Sequence, residues 1–111
     1  MCGIAGIVAW EGRANKHQVR SMTDALVHRG PDAGAVKCYG NAVLGHRRLR
    51  VIDLAAEADQ PMCEPNTGIS IVFNGEIYNF RDIRSELQQL GIKFKTDSDT
   101  EVLLKAFIEW D

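Results

Sequence analysis

Apolar residues recur at regular spacing through the first part of the chain. Residues 4–10 are apolar almost throughout, which predicts a strand buried on both of its faces. Residues 16–27 follow after a Glu11-Gly12 turn, and their apolar positions have helical spacing. Val19, Met22, Ala25 and Leu26 form the apolar face of this predicted helix. The chain is therefore expected to begin with a strand and an amphipathic helix.

The next segments have the short apolar runs that are typical of β structure. Residues 35–39 and 42–45 predict two strands, because Gly40-Asn41 between them is a two-residue hairpin signal. Residues 48–54 predict a further strand or the exit from one. Residues 55–68 contain Pro61 and Pro65, and they predict an irregular loop.

The following segment predicts one strand and one helix. Residues 69–73 are rich in β-branched and aromatic residues, and they predict a strand that stops at Asn74-Gly75. A helix is expected over residues 80–90, with Asn79 as its cap and Gly91 just after its end. The apolar stripe of this helix consists of Ile83, Leu87 and Leu90.

The chain closes with a predicted short strand and a last helix. Residues 92–95 predict the strand, and Ser98-Asp99-Thr100-Glu101 is a capping box that starts a helix over residues 99–110. The mixed alternation of strands and helices predicts an α+β class, or α/β at its edges, and residues 1–111 make one domain at most. Because the chain stops within an apolar helix, we expect it to be the front part of something longer.

Composition and charge narrow the possible functions. The chain has 111 residues, of which 45% are hydrophobic and 25% charged, and its formal net charge is −2. This charge, without a basic cluster, argues against nucleic acid as the main partner. We expect no membrane association, because apolar runs fall short of roughly 18 residues and signal-peptide features are lacking. Three widely spaced cysteines fit reduced thiols and a cytoplasmic location.

The second residue is a candidate nucleophile. Aminopeptidases accept small second residues, so Met1 is expected to be removed and Cys2 to become the N-terminus. Its free amine, with a pKa of about 7.7–8.0, would then act as general base to a thiol with a pKa of about 8.5. The alternative is that Cys2 is a small apolar residue that begins a buried strand.

Polar stretches at the ends of predicted elements suit an α-amino acid ligand. Arg48 can bind an α-carboxylate through two parallel hydrogen bonds. Asp99 or Glu76 can hold the ammonium group, and the Asn74 amide with the Gly75 N–H can form an oxyanion hole. The other polar stretch is Arg29-Gly30-Pro31-Asp32.

Each of these residues also has a purely structural explanation. Arg48 alone suits a solvated ion pair, Asn74-Gly75 a hairpin turn, and Asp99 the start of a helix. Arg29-Gly30-Pro31-Asp32 suits a turn in which Asp32 bonds its own backbone. The three histidines have no metal-type spacing with the cysteines, so we expect no metal site.

Six stretches in order identify a family. They are Met1-Cys2-Gly3-Ile4-Ala5-Gly6-Ile7, Arg29-Gly30-Pro31-Asp32, Leu44-Gly45-His46-Arg47-Arg48-Leu49, Gln60-Pro61-Met62, Phe73-Asn74-Gly75-Glu76-Ile77-Tyr78-Asn79 and Thr96-Asp97-Ser98-Asp99-Thr100-Glu101. In this order they resemble the class II glutamine amidotransferase domain. Within that class they are most similar to the N-terminal glutaminase domain of glutamine-hydrolysing asparagine synthetases. The resemblance covers essentially the whole chain.

The resemblance implies a fold and a set of roles. The fold would be the N-terminal-nucleophile hydrolase αββα sandwich, of which this chain resembles about the first half. Cys2 would be the nucleophile, and Asn74 and Gly75 would stabilise the oxyanion. The implied ligands of the glutamine substrate are Arg48, the Val51 and Ile52 backbone, Asn74, Gly75, Glu76 and Asp99. Arg50 and residues 57–59 differ from the commonest family wording and receive no role.

The implied reaction is hydrolysis of L-glutamine to glutamate and ammonia. In the intact family member, ammonia passes to a synthetase domain that uses ATP and Mg to make asparagine from aspartate. The Ser-Gly-Gly-x-Asp type loop for the ATP pyrophosphate is absent from this sequence, so no cofactor is expected in this chain. Two alternatives remain. One is a truncated, inactive fragment that at most binds a partner or glutamine weakly, and the other is a subunit that donates ammonia to a separate synthetase.

Overall fold

The fold is α+β in a computed structural model that describes residues 2–51 and 54–111. In chain order the elements are β1 (Gly3–Val8), α1 (Lys16–Asp24), β2 (Ala33–Tyr39), β3 (Ala42–Arg48), β4 (Met62–Cys63), β5 (Ser70–Ile71), α2 (Phe80–Gln89) and α3 (Asp99–Trp110). One turn of 3₁₀ helix lies at Ala56–Ala58. The predicted α+β class is therefore confirmed.

The first three strands form an antiparallel sheet in the order β1-β3-β2. The predicted hairpin is confirmed, because Tyr39 pairs with Ala42 and Gly40 has a φ of 62° in the two-residue turn. β3 is longer than predicted and runs to Arg48, and residues 49–51, which the structure describes, do not continue it. The central strand thus ends at the residue that was predicted to bind substrate.

β1 is an edge strand with one exposed face. The prediction of burial on both faces is wrong, because Ile4 and Val8 are 47% and 55% exposed. Burial alternates along the strand, so the strand packs against the rest of the described chain on one side only. The predicted end at residue 10 is also too late, because β1 stops at Val8.

The helix α1 covers the other face of this sheet. Val19 packs with Val36 and Val43 to form the buried core. The Asn15 side chain caps the helix by accepting hydrogen bonds from two backbone N–H groups, a cap that was not predicted. α1 ends at Asp24 rather than at residue 27, and Met22 of the predicted apolar face is exposed.

After α1 the chain passes close to the backbone of β3, and this close contact requires a glycine. Residues 25–29 continue as turns, and Gly30 is then buried against the backbone of Arg47. A Cβ atom at Gly30 would overlap the carbonyl carbon of Arg47, so only glycine fits. This contact brings the chain back to the end of β3.

The second half of the chain packs as two helices. Leu87 of α2 is fully buried, whereas Leu90 of the predicted stripe is exposed. Gly91 has a φ of 88° after α2, and the Ile92 N–H donates to the Leu87 carbonyl, which confirms the predicted glycine end. The Asn79 side chain makes no capping hydrogen bond with the described residues, so the helix starts as predicted without that side-chain cap.

α3 begins as predicted, but only the Ser98 half of its predicted capping box forms among the described residues. Ser98 caps the helix by accepting from the Thr100 N–H at 3.0 Å. The Glu101 carboxylate instead accepts hydrogen bonds from the Lys95 N–H, the Thr96 N–H and the Thr96 hydroxyl. Residues 92–95, all described, therefore turn toward α3 and do not form the predicted strand.

The segment between β3 and α2 is mostly irregular. β4 and β5 are two residues each and pair with one another. The strand predicted over residues 69–73 is thus reduced to Ser70–Ile71. Such a short ribbon leaves the following residues to be positioned by side chains.

Candidate active site

One cleft of about 560 Å³ collects the predicted site residues. It is lined by Cys2 and Arg48 from the ends of β1 and β3, by the segment after β5, and by the first residues of α3. The predicted site residues that line it are Cys2, Arg48, Val51, Asn74, Gly75, Glu76 and Asp99. Ile52 lies outside the described residues. The roles of all these residues stay predictions.

The Cys2 thiol faces the backbone of Leu49. The Leu49 N–H lies 3.4 Å from Sγ, and the Leu49 carbonyl oxygen lies 3.7 Å from Sγ. The N–H can donate to a thiolate, and the carbonyl can accept from a thiol. Arg29 also fixes the backbone of Cys2, because its Nε donates to the Cys2 carbonyl at 3.0 Å. Cys2 is thus half-buried, and both its thiol and its carbonyl contact polar groups of the protein.

The Arg29-Gly30-Pro31-Asp32 stretch supports the cleft without lining it. Asp32 accepts a hydrogen bond from the Arg50 N–H at 2.9 Å, and its own N–H donates to the Arg48 carbonyl at 3.0 Å. These contacts differ from the predicted turn in which Asp32 bonds its own backbone. The stretch therefore fixes the exit of β3 on which Arg48 lies.

Arg48 is buried and held by a carboxylate that the sequence analysis gave no role. Its Nη1 donates to Asp59 Oδ1 at 2.6 Å and to the Ala55 carbonyl at 2.9 Å. Arg50 binds the other carboxylate oxygen of Asp59 through Nη2 at 2.7 Å. Asp59 is thus shared between two guanidinium groups. Neither periodicity nor a turn signal identifies Asp59, since the contact joins residues 11 positions apart.

The electrostatic environment shifts two pKa values near Arg48. Burial opposes ionisation of Asp59, but hydrogen bonds from Arg50 and Arg48 outweigh it, so the pKa of Asp59 lies below its ordinary value. Burial lowers the pKa of His46, and the nearby Arg48 charge adds to this effect. The Phe73 carbonyl and Asp59 act against that lowering. His46 is therefore held as a neutral ring near Arg48.

The candidate oxyanion segment lines the same cleft as Cys2. Asn74, Gly75 and Glu76 are exposed there. Asn74 offers an amide donor and Gly75 a backbone donor, and neither group is buried. The structure thus leaves these polar groups accessible from the cleft.

Asp99 is buried at the start of α3. Its Oδ2 accepts a hydrogen bond from the Ile77 N–H at 3.1 Å. Within the described chain, the other oxygen of this carboxylate accepts no hydrogen bond. One acceptor thus remains for a positively charged group in the cleft.

The described residues contain no cluster of three or more metal-type ligands. All three cysteines lie in the described part of the chain and none is in a disulfide. None of the helices, over the residues described, is long and apolar enough to cross a membrane.

Comparison with known proteins gives a consistent family. Residues 1–111 match the family of the glutamine amidotransferase domain. Asparagine synthetase (glutamine-hydrolyzing) 3 of Bacillus subtilis (strain 168) is 42% identical over 114 residues, which cover 99% of this chain and 18% of that protein. Asparagine synthetase (glutamine-hydrolyzing) 1 of the same organism is 38% identical, with 96% and 17% covered.

A plant protein is similar over the same region. Asparagine synthetase (glutamine-hydrolyzing) 2 of Oryza sativa subsp. japonica is 34% identical, with 99% of this chain and 18% of that protein covered. The chain therefore spans less than a fifth of the length of these curated relatives. Because the family match extends over every residue of the sequence, the chain belongs to the glutamine amidotransferase domain family.

Proposed function

We propose that this chain hydrolyses L-glutamine to glutamate and ammonia, with Cys2 as the nucleophile. The observation that carries the proposal is the convergence of a thiol, a guanidinium, an amide and two carboxylates on one cleft. These are the groups that bind an α-amino acid and attack its side-chain amide. We further propose that the domain has the N-terminal-nucleophile αββα sandwich fold, which family membership supports.

The chemistry begins after removal of Met1, when the Cys2 amine can accept the thiol proton. The thiolate attacks the carboxamide carbon of glutamine, and the C=O electron pair moves to oxygen. The Asn74 amide and the Gly75 N–H donate to that oxyanion. The C–N bond then breaks, the protonated amine returns the proton to nitrogen, and ammonia leaves.

A thioester between Cys2 and the γ-carbonyl of glutamine remains. Water attacks the thioester carbonyl, and the Cys2 amine accepts a proton from this water. Collapse of the second tetrahedral adduct breaks the C–S bond, releases glutamate and regenerates the thiol. The Leu49 N–H at 3.4 Å from Sγ stabilises the thiolate at both stages.

Recognition of the amino-acid end is assigned to charged groups of the cleft. The Arg48 guanidinium binds the α-carboxylate, and Asp59, which also pairs with Arg50, holds Arg48 in place. Asp99 and Glu76 bind the α-ammonium group, and the backbone of Val51, which also lines the cleft, helps Arg48 to bind the carboxylate. This division places opposite charges at the two ends of an amino acid.

Ammonia is proposed to pass to a synthetase domain or subunit. The relatives are named as asparagine synthetases, and the chain spans only 17–18% of three of them. ATP and Mg would act in that synthetase part, with no cofactor bound by the present chain. Free cysteines support a cytoplasmic site of action.

Glutamate release measured for Cys2→Ala tests the proposal. The variant should lose at least about a thousandfold in kcat, because the nucleophile is removed. Cys38→Ala is the matched control, since Cys38 is exposed on β2 and outside the cleft. Equal hydrolysis in the parent and in Cys2→Ala would refute the mechanism. A folded parent, with Met1 removed, that shows no turnover would favour the inactive-fragment alternative.

A further inference from the structure

The segment that carries Asn74 and Gly75 is not held by a sheet. β5 ends at Ile71, and residues 73–75 pair with no strand in the described part of the chain. An oxyanion site needs its donors fixed before the reaction begins. Something other than a strand ladder must therefore position this segment.

Both backbone groups of Phe73 bind buried side chains. The Phe73 N–H donates to Gln60 Oε1 at 2.5 Å, and the Phe73 carbonyl lies 3.2 Å from His46 Nε2. A carbonyl can only accept, so the neutral His46 ring donates from Nε2. Gln60 is 6% exposed and His46 is 1% exposed. Phe73 is thus held from both sides by side chains shielded from water.

Gln60 connects this segment to the start of α3. Its Nε2 donates to Thr100 Oγ1 at 3.1 Å while its Oε1 accepts from Phe73. Thr100 is buried in the first turn of α3, beside Asp99. A glutamine supplies an acceptor and a donor on one planar group, so both bonds form together. The two walls of the cleft are therefore joined through one amide.

The Phe73 ring in turn supports Gly75. A Cβ atom at Gly75 would lie 2.8 Å from Phe73 Cζ, so the ring lies directly against the glycine backbone. A shift of Phe73 would therefore move the Gly75 N–H. Displacement of catalytic groups by about 1 Å can cost on the order of a hundredfold in rate.

We infer that Gln60 is a positioning residue for the oxyanion site: it fixes Phe73, and through Phe73 the donors of Asn74 and Gly75, against the start of α3. This inference rests on the proposed glutaminase function. Gln60 itself transfers no proton and forms no bond to substrate. Its loss should lower turnover more than substrate binding, because the donors act on charge that develops in the transition state.

Gln60→Met tests the inference, because methionine has a similar length and makes neither hydrogen bond. We expect kcat for glutamine hydrolysis to fall by about 10- to 100-fold with KM changed less than about threefold. Amide hydrogen exchange at Phe73 should rise by at least about tenfold, while exchange in β3 stays unchanged. Thr23→Val is the control: it removes a buried hydroxyl of α1 that donates to the Val19 carbonyl and lies outside the cleft.

A second variant covers the case in which Gln60→Met does not fold. Gln60→Glu keeps an acceptor for the Phe73 N–H, and it should keep Phe73 protected from exchange. The inference is overturned if Gln60→Met leaves Phe73 protection or kcat at the level of Thr23→Val, or if Gln60→Glu loses the protection. If the parent itself hydrolyses no glutamine, the proposed function fails, and exchange at Phe73 still decides whether Gln60 fixes the segment.

Discussion

Replacing Asp59 with asparagine should destabilise the protein by about 2 kcal/mol. The Asp59 carboxylate accepts hydrogen bonds from Arg48 Nη1 at 2.6 Å and from Arg50 Nη2 at 2.7 Å. Asparagine keeps one acceptor oxygen for Arg48, but it removes the charge and turns an NH2 group toward Arg50. The buried Arg48 guanidinium then loses the negative charge of Asp59.

The magnitude follows from how much of each partner is in water. The side chain of Arg48 is 7% exposed, and that of Asp59 is 24% exposed. Loss of one partner from a fully buried pair costs about 3–5 kcal/mol, whereas exposed pairs contribute about 0–1 kcal/mol. The Asp59 pair lies between these limits, which gives about 2 kcal/mol. For a chain of this size that corresponds to a lowering of Tm by about 8 °C.

The effect of Asp59 should also depend on pH. The pKa of Asp59 is lowered in the folded protein, so its contribution is complete above the ordinary value of 3.8. The contribution is lost as pH falls through the lower folded pKa, because the native carboxylate then takes up a proton. The stability difference between parent and Asp59→Asn should therefore be full at pH 7 and should shrink below about pH 3.8.

Urea unfolding at pH 7, followed by far-UV circular dichroism, measures this difference. Asp97→Asn is the control, because the side chain of Asp97 is 88% exposed in its pair with Arg84. We expect a loss of less than about 0.5 kcal/mol for the control. Equal unfolding midpoints for the parent and Asp59→Asn would refute the argument that Arg48 needs this carboxylate.

Two further predictions concern His46 and Asp99. Burial lowers the pKa of His46 below 6.5, so the unfolded chain binds the proton more tightly and the stability of the protein should fall as pH drops below 6.5. In His46→Gln the urea midpoint should therefore change less between about pH 7 and 5 than in the parent, and equal slopes for the two proteins would contradict this prediction. Asp99→Asn keeps an acceptor for the Ile77 N–H but loses the charge, so KM for glutamine should rise at least about tenfold while kcat changes less than about threefold. A fall in kcat at constant KM would contradict the binding role of Asp99.

Features set by a few neighbouring residues could be predicted from the sequence. The hairpin turn at Gly40-Asn41, the helix end at Gly91 and the start of α3 at Ser98 all depend on local backbone chemistry. Each signal lies within four residues of the structure it specifies. The boundaries of α2 and α3 were accordingly close to those observed.

Features set by contacts between distant residues could not be predicted in this way. Residues 92–95 have strand-like composition, but Lys95 and Thr96 donate to Glu101 rather than to a strand. The apolar pattern of residues 4–10 suggests burial on two sides, and only the packing of the sheet shows that one side is open. A strand-like composition shows that a segment can form a partly buried strand, but it does not show which other segment packs against it.

The candidate site shows the same division. Residue chemistry and family resemblance selected the groups that line the cleft. Neither gave a role to Asp59 or to Gln60, because these residues act through Arg48 and Phe73. Supporting contacts of this kind depend on the folded arrangement and leave no periodic signal in the sequence.

The most direct test of the account is intact-mass spectrometry before and after treatment with a glutamine-like diazo-ketone. The untreated mass shows whether Met1 has been removed. The account predicts one adduct, mapped by peptide analysis to Cys2, with no labelling of the exposed Cys38 and Cys63. Absence of the Cys2 adduct in protein that has lost Met1, or equal labelling of all three cysteines, would contradict the claim that this chain assembles a glutaminase site.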